Sequence, residues 1–261
     1  MQDLELTLNR VEQALEQGAA DEAVRLLRKL LADNPGHLEA RALLGEALIE
    51  NGQLQEGVRQ IEEVAANDPQ DLDLQYTLGD AYFELGRPDD ACRVYQAILA
   101  QAPDQVDAQV SLGLVHYHQD RPDEAEACYR KALESAADSV FALNSLGDLC
   151  FAQGRTAEAK ECFERALAID PDDPQGHFNL AEFHYDNGDL PAAEHCCREA
   201  IRRDPQFAFA YLTLGNLCLD QELVQEAVQC FQNFLRLEKS PDAGEIREEV
   251  AALLDGLRQE T

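Results

Sequence analysis

The chain has 261 residues, 45% of them apolar, and sets 21 Lys and Arg against 51 Asp and Glu for a formal net charge of −30. The apolar share is enough for a long buried core and excludes a disordered polymer, while a negative field of this size argues against nucleic acid and anionic lipid as partners. Met1-Gln2-Asp3-Leu4-Glu5-Leu6 has no basic n-region or apolar h-region, and no stretch reaches about 18 uninterrupted apolar residues. The expectation is a cytoplasmic protein without membrane insertion, its eight cysteines reduced.

In chain order the sequence reads as a succession of helix pairs on a 34-residue period. The first pair carries Arg10-Val11, then Gly18 at a helix end and Ala23 in the next helix. Leu44-Gly45 opens a ladder continued by Leu78-Gly79, Leu112-Gly113, Leu146-Gly147, Leu180-Ala181 and Leu214-Gly215. Twelve residues after each small residue stands another: Gly57, Ala91, Ala125, Ala159, Ala193 and Ala227. Four residues further lie Tyr95, Tyr129, Phe163, Cys197 and Phe231, and a proline ladder runs Pro35, Pro69, Pro103, Pro171, Pro205 with Ala137 interrupting it. In the third period Leu74, Leu78, Ala81 and Leu85 keep helical spacing, as do Ala91, Val94, Tyr95 and Ile98. Gly86 sits where a helix end needs positive φ, Pro88 opens the next helix, and Asp89-Asp90 complement its dipole. Gly52, Gly154 and Gly188 repeat the stop signal. After Pro241 the period ends, and 242–258 reads as one more helix with Ile246, Val250, Leu253, Leu254 and Leu257 on one face.

These ladders resemble the tetratricopeptide repeat family, whose pattern is Leu-Gly, an aromatic, Ala, an aromatic and Pro. Leu78-Gly79 with Tyr82, Ala91, Tyr95 and Pro103 is the best match. The family's leading Trp is absent: Thr7, Arg41, Gln75, Gln109, Leu143, His177 and Tyr211 occupy its ladder, and Arg10-Val11 marks a degenerate first repeat. The resemblance implies an all-α fold, a right-handed α-solenoid (superhelix) of antiparallel helix hairpins. The implied repeats are about 4–37, 38–71, 72–105, 106–139, 140–173, 174–207 and 208–241, with a C-terminal capping helix and tail over 242–261.

No nucleophile elbow, P-loop or dinucleotide fingerprint is present, and no residues remain outside the repeats for a catalytic domain. The expectation is no enzyme and no cofactor. Cys128, Cys162, Cys196 and Cys230 recur every 34 residues, which places them about 8–10 Å apart on successive helices, beyond the roughly 7 Å between Cα atoms that a disulfide spans. His116, Cys150, His184 and Cys218 alternate two metal-ligand types, yet ligands a repeat apart do not converge on one zinc ion at about 2.0–2.3 Å. Both ladders read as packing, with no metal site.

The resemblance further implies that the first helix of each repeat lines a concave groove. Side chains spaced to share one stripe of those helices are Glu39, Ala42, Glu46, Ile49 and Glu50 in the second repeat, then Asp73, Tyr76, Asp80, Phe83 and Glu84. The fourth repeat offers Asp107, Val110, Leu114, Tyr117 and His118, the fifth Phe141, Asn144, Asp148, Phe151 and Ala152. The last two offer Gln175, Phe178, Glu182, Tyr185 and Asp186, then Phe209, Leu212, Asn216, Leu219 and Asp220. The stripe holds no Lys or Arg, so the basic clamp with which some family members grip a C-terminal carboxylate is missing. It grades from carboxylates to aromatics. The ladder Phe83, Tyr117, Phe151, Tyr185 reads either as groove wall or as packing between first helices, whereas Phe141, Phe178 and Phe209 fall outside the core pattern. The expected function is a non-catalytic adaptor or scaffold for a basic protein segment with apolar anchors. The alternatives are an assembly or secretion chaperone for an unstructured client and, behind it, a metal or thiol-redox sensor. Self-association is left open, because open repeat arrays can stack end to end.

Overall fold

A computed structural model describes residues 2–68, 70–240 and 243–259. Pro69 and Pro241 therefore lie outside the described residues. The described chain is helical throughout: α1 (Gln2–Glu16), α2 (Ala20–Asp33), α3 (Leu38–Glu50), α4 (Leu54–Ala65), α5 (Leu72–Glu84), α6 (Pro88–Gln101), α7 (Val106–His118), α8 (Pro122–Ser135), α9 (Val140–Ala152), α10 (Thr156–Ile169), α11 (Pro174–Asp186), α12 (Leu190–Arg203), α13 (Ala208–Asp220), α14 (Val224–Leu237) and α15 (Gly244–Gln259). Among the described residues no helix is long and apolar enough to cross a membrane. The helices group into two compact units, one ending at Ser135 and holding α1–α8, the other beginning at Ala136 and holding α9–α15.

Within each unit, consecutive helices pack as hairpins: α3 on α4, α5 on α6 and α7 on α8 in the first, α9 on α10, α11 on α12 and α13 on α14 in the second. The close approach depends on the glycine ladder. A Cβ on Gly79 would lie 2.7 Å from the Tyr95 ring, and one on Gly113, Gly147 or Gly215 would lie 2.4–2.5 Å from Tyr129, Phe163 or Phe231. The second helix thus lays an aromatic edge on the bare Cα of the first. Tyr95, Tyr129 and Phe231 are at most 1% exposed, so each contact also buries a whole ring, the largest apolar contribution a single side chain makes to the core. In α3–α4 the same approach is backbone on backbone, Gly57 against the Gly45 carbonyl.

The turns between paired helices are equally uniform. Gly18, Gly52, Gly86, Gly154 and Gly188 adopt φ of 67–76°. At Gly86 the Arg87 amide closes back on the Tyr82 carbonyl at 2.8 Å, the double-turn bond that satisfies the last carbonyls of a helix. On the same 34-residue ladder stand Asp120 and Glu222, also with positive φ, at 57° and 61°. Between hairpins, some first helices start on side-chain caps, the Leu74 amide donating to Asp71 at α5 and the Ala142 amide to Ser139 at α9. At the end of the second unit α15 packs on α14 through buried Val250 and Leu254. Its apolar stripe is narrower than the sequence suggests: Ile246 and Leu257 are half-buried and Leu253 is exposed.

A side chain with a Cβ in the left-handed region carries a cost of about 1 kcal/mol that glycine does not. Glu222→Gly is expected to stabilise the protein by about that amount, read as an increase in urea midpoint at unchanged slope; an unchanged or lower midpoint would show that the Glu222 side chain has a compensating role.

Candidate functional site

In the first unit the stripe residues mostly reach solvent. Glu39, Glu50, Asp73, Asp80, Glu84, Asp107 and Tyr117 are exposed, and Glu46, Tyr76 and Phe83 are half-buried. Burial, with Glu50 and Asp71 nearby, pushes the Glu46 carboxyl up. Phe83 packs edge-on to His118 at 5.0 Å, and Tyr76 to Tyr95 at 5.9 Å, so these aromatics are walls and packing at once. Desolvation, then Asp107 and Asp80, push the Tyr76 phenol up. Asp80 is held by the Tyr95 hydroxyl, which donates to its carboxylate.

In the second unit Phe141 and Phe209 are exposed and Asn144, Phe151, Tyr185 and Asn216 half-buried, while Asp148, Glu182 and Asp186 stay in contact with solvent. Phe178 corrects the sequence expectation. It is only 8% exposed and packs on Ala200, Ala210, Ile201 and Phe207, with the Phe207 ring at 5.1 Å. Its ladder position also holds Val110, fully buried in the first unit; the stripe turns inward there to join neighbouring hairpins. The Oδ1 of Asn144 is buried without a hydrogen-bond partner.

A cavity of about 310 Å3 opens among α9, α10, α11 and α13, lined by Asp148, Phe151, Phe163, Asn179, Glu182, Phe183, Tyr185, Asp186, Leu212, Thr213 and Asn216. Seven of these were expected on the groove stripe. Phe163 and Phe183 were not, because they sit on the packing side of their helices; Phe183 touches Phe151 at 5.5 Å and Phe163 at 6.2 Å. Asn179 and Thr213 had a legible signal: Thr77, Ser111, Ser145, Asn179 and Thr213 form a polar ladder with the same 34-residue step.

The acid on the floor of this cavity differs from its counterpart in the first unit. Asp148 lies 68 residues after Asp80, and Phe163 lies 68 after Tyr95. The ring is conserved in place but its hydroxyl is gone, so the donor that satisfies Asp80 has no equivalent at Asp148. Water reaches the Asp148 carboxylate, yet protein surrounds it on most sides, and that partial desolvation pushes its pKa up to about 6. Desolvation, then Asp186 and Asp148, raise Glu182 as well. Tyr185 donates to Asp220 at 2.9 Å, outside the lining. No Lys, Arg or His lines the cavity.

The cysteines lie elsewhere, in the packing. None of the eight is in a disulfide and seven are buried; burial pushes Cys197 and Cys230 up to about 12, far from the thiolate. Among the described residues no group of three His, Cys, Asp or Glu side chains is placed to hold a metal ion.

Sequence models described as tetratricopeptide repeat match residues 14–75, 70–138, 104–172 and 144–208. No curated protein matches the chain. Among solved structures, a tetratricopeptide repeat protein from Parabacteroides merdae is 19% identical and covers 97% of this chain and 99% of its own, with a TM-score of 0.78. PilF of Pseudomonas aeruginosa is 20% identical over 82% of this chain and 96% of its own (TM-score 0.62). MamA of Desulfovibrio magneticus, from residue 41 onward, is 21% identical over 64% and 95% (TM-score 0.58). At these identities the likeness is one of fold.

Two substitutions separate packing from site. Phe178→Ala is expected to cost about 3–5 kcal/mol of stability by leaving a cavity, measured by urea unfolding; a loss below about 1 kcal/mol would place the ring on the surface. Asp148 has a folded pKa above its unfolded 3.8, so its cost is present above about pH 6 and is relieved as pH falls towards about 4. Asp148→Asn is expected to stabilise at pH 7 by on the order of 1 kcal/mol, screening at this water-accessible site included. That gain should vanish by about pH 4 in parallel melts, and a gain independent of pH would rule out the carboxylate as its source.

Proposed function

The chain belongs to the tetratricopeptide repeat family, and on that footing we propose that it is a non-catalytic adaptor or scaffold that holds a basic, apolar-anchored protein segment on the first-helix faces of its repeats. The carrying observation is a segregation of charge. Helices α5, α7, α9, α11 and α13 contain no Lys or Arg, and the one in α3, Arg41, is tied to Glu63 and the Pro35 carbonyl. Most other cations stand on second helices and loops, and several of them neutralise local acids: Arg87 with Asp90 at 2.6 Å, Arg198 with Glu194 at 2.8 Å, Arg202 with Glu199 at 3.0 Å. Among the described residues, Glu46, Asp80, Asp148, Glu182 and Asp186 on the first helices are in no ion pair of this kind. Carboxylates interleaved with Phe83 and Tyr117 in the first unit, and with Phe141, Phe151 and Phe209 in the second, support both halves of the proposal, long-range attraction for basic residues and contact area for apolar ones.

Affinity for a basic, apolar-anchored peptide selected on the purified protein should fall steeply with added salt and drop by about tenfold on reversing Asp73 and Asp80 to Lys. Titration calorimetry at low and high salt measures both; an affinity indifferent to salt and to the reversal would move binding off these faces.

A further inference from the structure

The cavity on α9, α11 and α13 carries more specific information than the charged face around it. Resting on the binding function above, we propose that it is a socket for one arginine side chain of the bound segment, with the guanidinium meeting Asp148 and Glu182 between aromatic walls.

Three observations converge on that ligand. The first is that, among the described residues, protein supplies no donor to Asp148 where its counterpart has one. Asp80 has the Tyr95 hydroxyl, whereas Phe163 stands in the equivalent place beside Asp148 and offers none. Asp148, Glu182 and Asp186 share one cavity with no cation in its lining. Carboxylates kept together in this way repel one another and gain most from an incoming cationic donor. The second is the wall. Phe151, Phe183 and Tyr185 line the same space, and an aromatic ring attracts a cation within about 6 Å. The third is that the molecule already contains this arrangement with its guanidinium in place. In the first unit Arg87 lies 4.3 Å from the Tyr82 ring centroid while its nitrogens approach Glu62 at 3.7 Å and Asp90 at 2.6 Å. Ring and carboxylates in the cavity repeat that chemistry with the arginine missing from the chain.

Size and hydration select arginine over the alternatives. About 310 Å3 is at the small end of ligand pockets, which begin near 300 Å3; it suits one long side chain and is far narrower than a helix about 10 Å across. A guanidinium fork reaches two carboxylates at once and stacks on rings, and it sheds water more readily than an ammonium. Lysine would lose more hydration against the Phe walls and has no planar group to stack on them.

The test is a phage-displayed random peptide library selected in parallel on the full chain and on the D148N/E182Q variant, followed by synthesis of one selected peptide with Arg, Lys, trimethyllysine or Gln at its fixed basic position. The expected result is an arginine at one fixed position in peptides from the native chain. Arg→Lys in the peptide and D148N/E182Q in the protein should each cost about tenfold in affinity, and the two losses should not add, because both remove the same contact. Equal affinity for Arg and Lys, tighter binding of trimethyllysine, or fully additive losses would overturn the arginine socket while leaving the binding of basic segments standing. Selected peptides without basic residues would overturn both. A thermal melt checks that the double variant folds; if it does not, Asp148→Asn alone and Phe151→Leu carry the same comparison.

Discussion

An aromatic ring edge lying on the bare Cα of a glycine sets the separation of the two helices in a hairpin, and the other contacts are arranged around it. With Tyr95, Tyr129, Phe163 or Phe231 opposite Gly79, Gly113, Gly147 or Gly215, a single methyl on the glycine would stand 2.4–2.7 Å from ring carbon. Interiors packed at crystal density cannot absorb that overlap without moving a helix. The hairpin spacing decides which side chains of the first helix face their partner, which face the neighbouring hairpin and which are left to solvent.

The exceptions to this contact follow its logic. Where the ladder has Ala181 in place of glycine, the ring opposite is replaced by Cys197, and both are fully buried. A methyl gained on one helix is matched by a ring lost on the other. In α3–α4 two glycines face each other, and Ile61 fills the remaining space. Exchange of Tyr95 for Phe163 keeps the steric contact and removes only a hydroxyl, yet that oxygen is what satisfies Asp80. A substitution neutral for packing therefore removes a hydrogen-bond donor from the opposite helix, beside Asp148.

Charge is distributed with the same economy. Several cations pair locally on second helices and in turns, whereas the first helices α3, α5, α7, α9, α11 and α13 together carry eleven acids against the single Arg41. A field concentrated there acts over about a Debye length, roughly 8–10 Å at ordinary salt, and the aromatic side chains lie within that range of the carboxylates. Attraction and contact area thus coincide.

Periodicity alone was enough to read the helices, their turns and the tight Leu-Gly approach, because these depend on spacing within one repeat and recur every 34 residues. The stripe of acids was legible for the same reason: i, i+3, i+4 spacing places residues on one face whatever packs behind it. What a neighbouring hairpin covers is not a property of one repeat. Phe178 has the spacing of a surface residue and is buried by Ala200, Ala210 and Phe207; Phe183 has the spacing of a core residue and opens onto a cavity. Positive φ at Asp120 and Glu222 carries no residue signal, since it is imposed by the turn that the ladder demands. The sequence by itself determined a repeat array with acids and aromatics on one stripe of its first helices. Only the tertiary structure decided which of those rings and acids share a cavity, because that depends on how three first helices meet, and no single repeat encodes it.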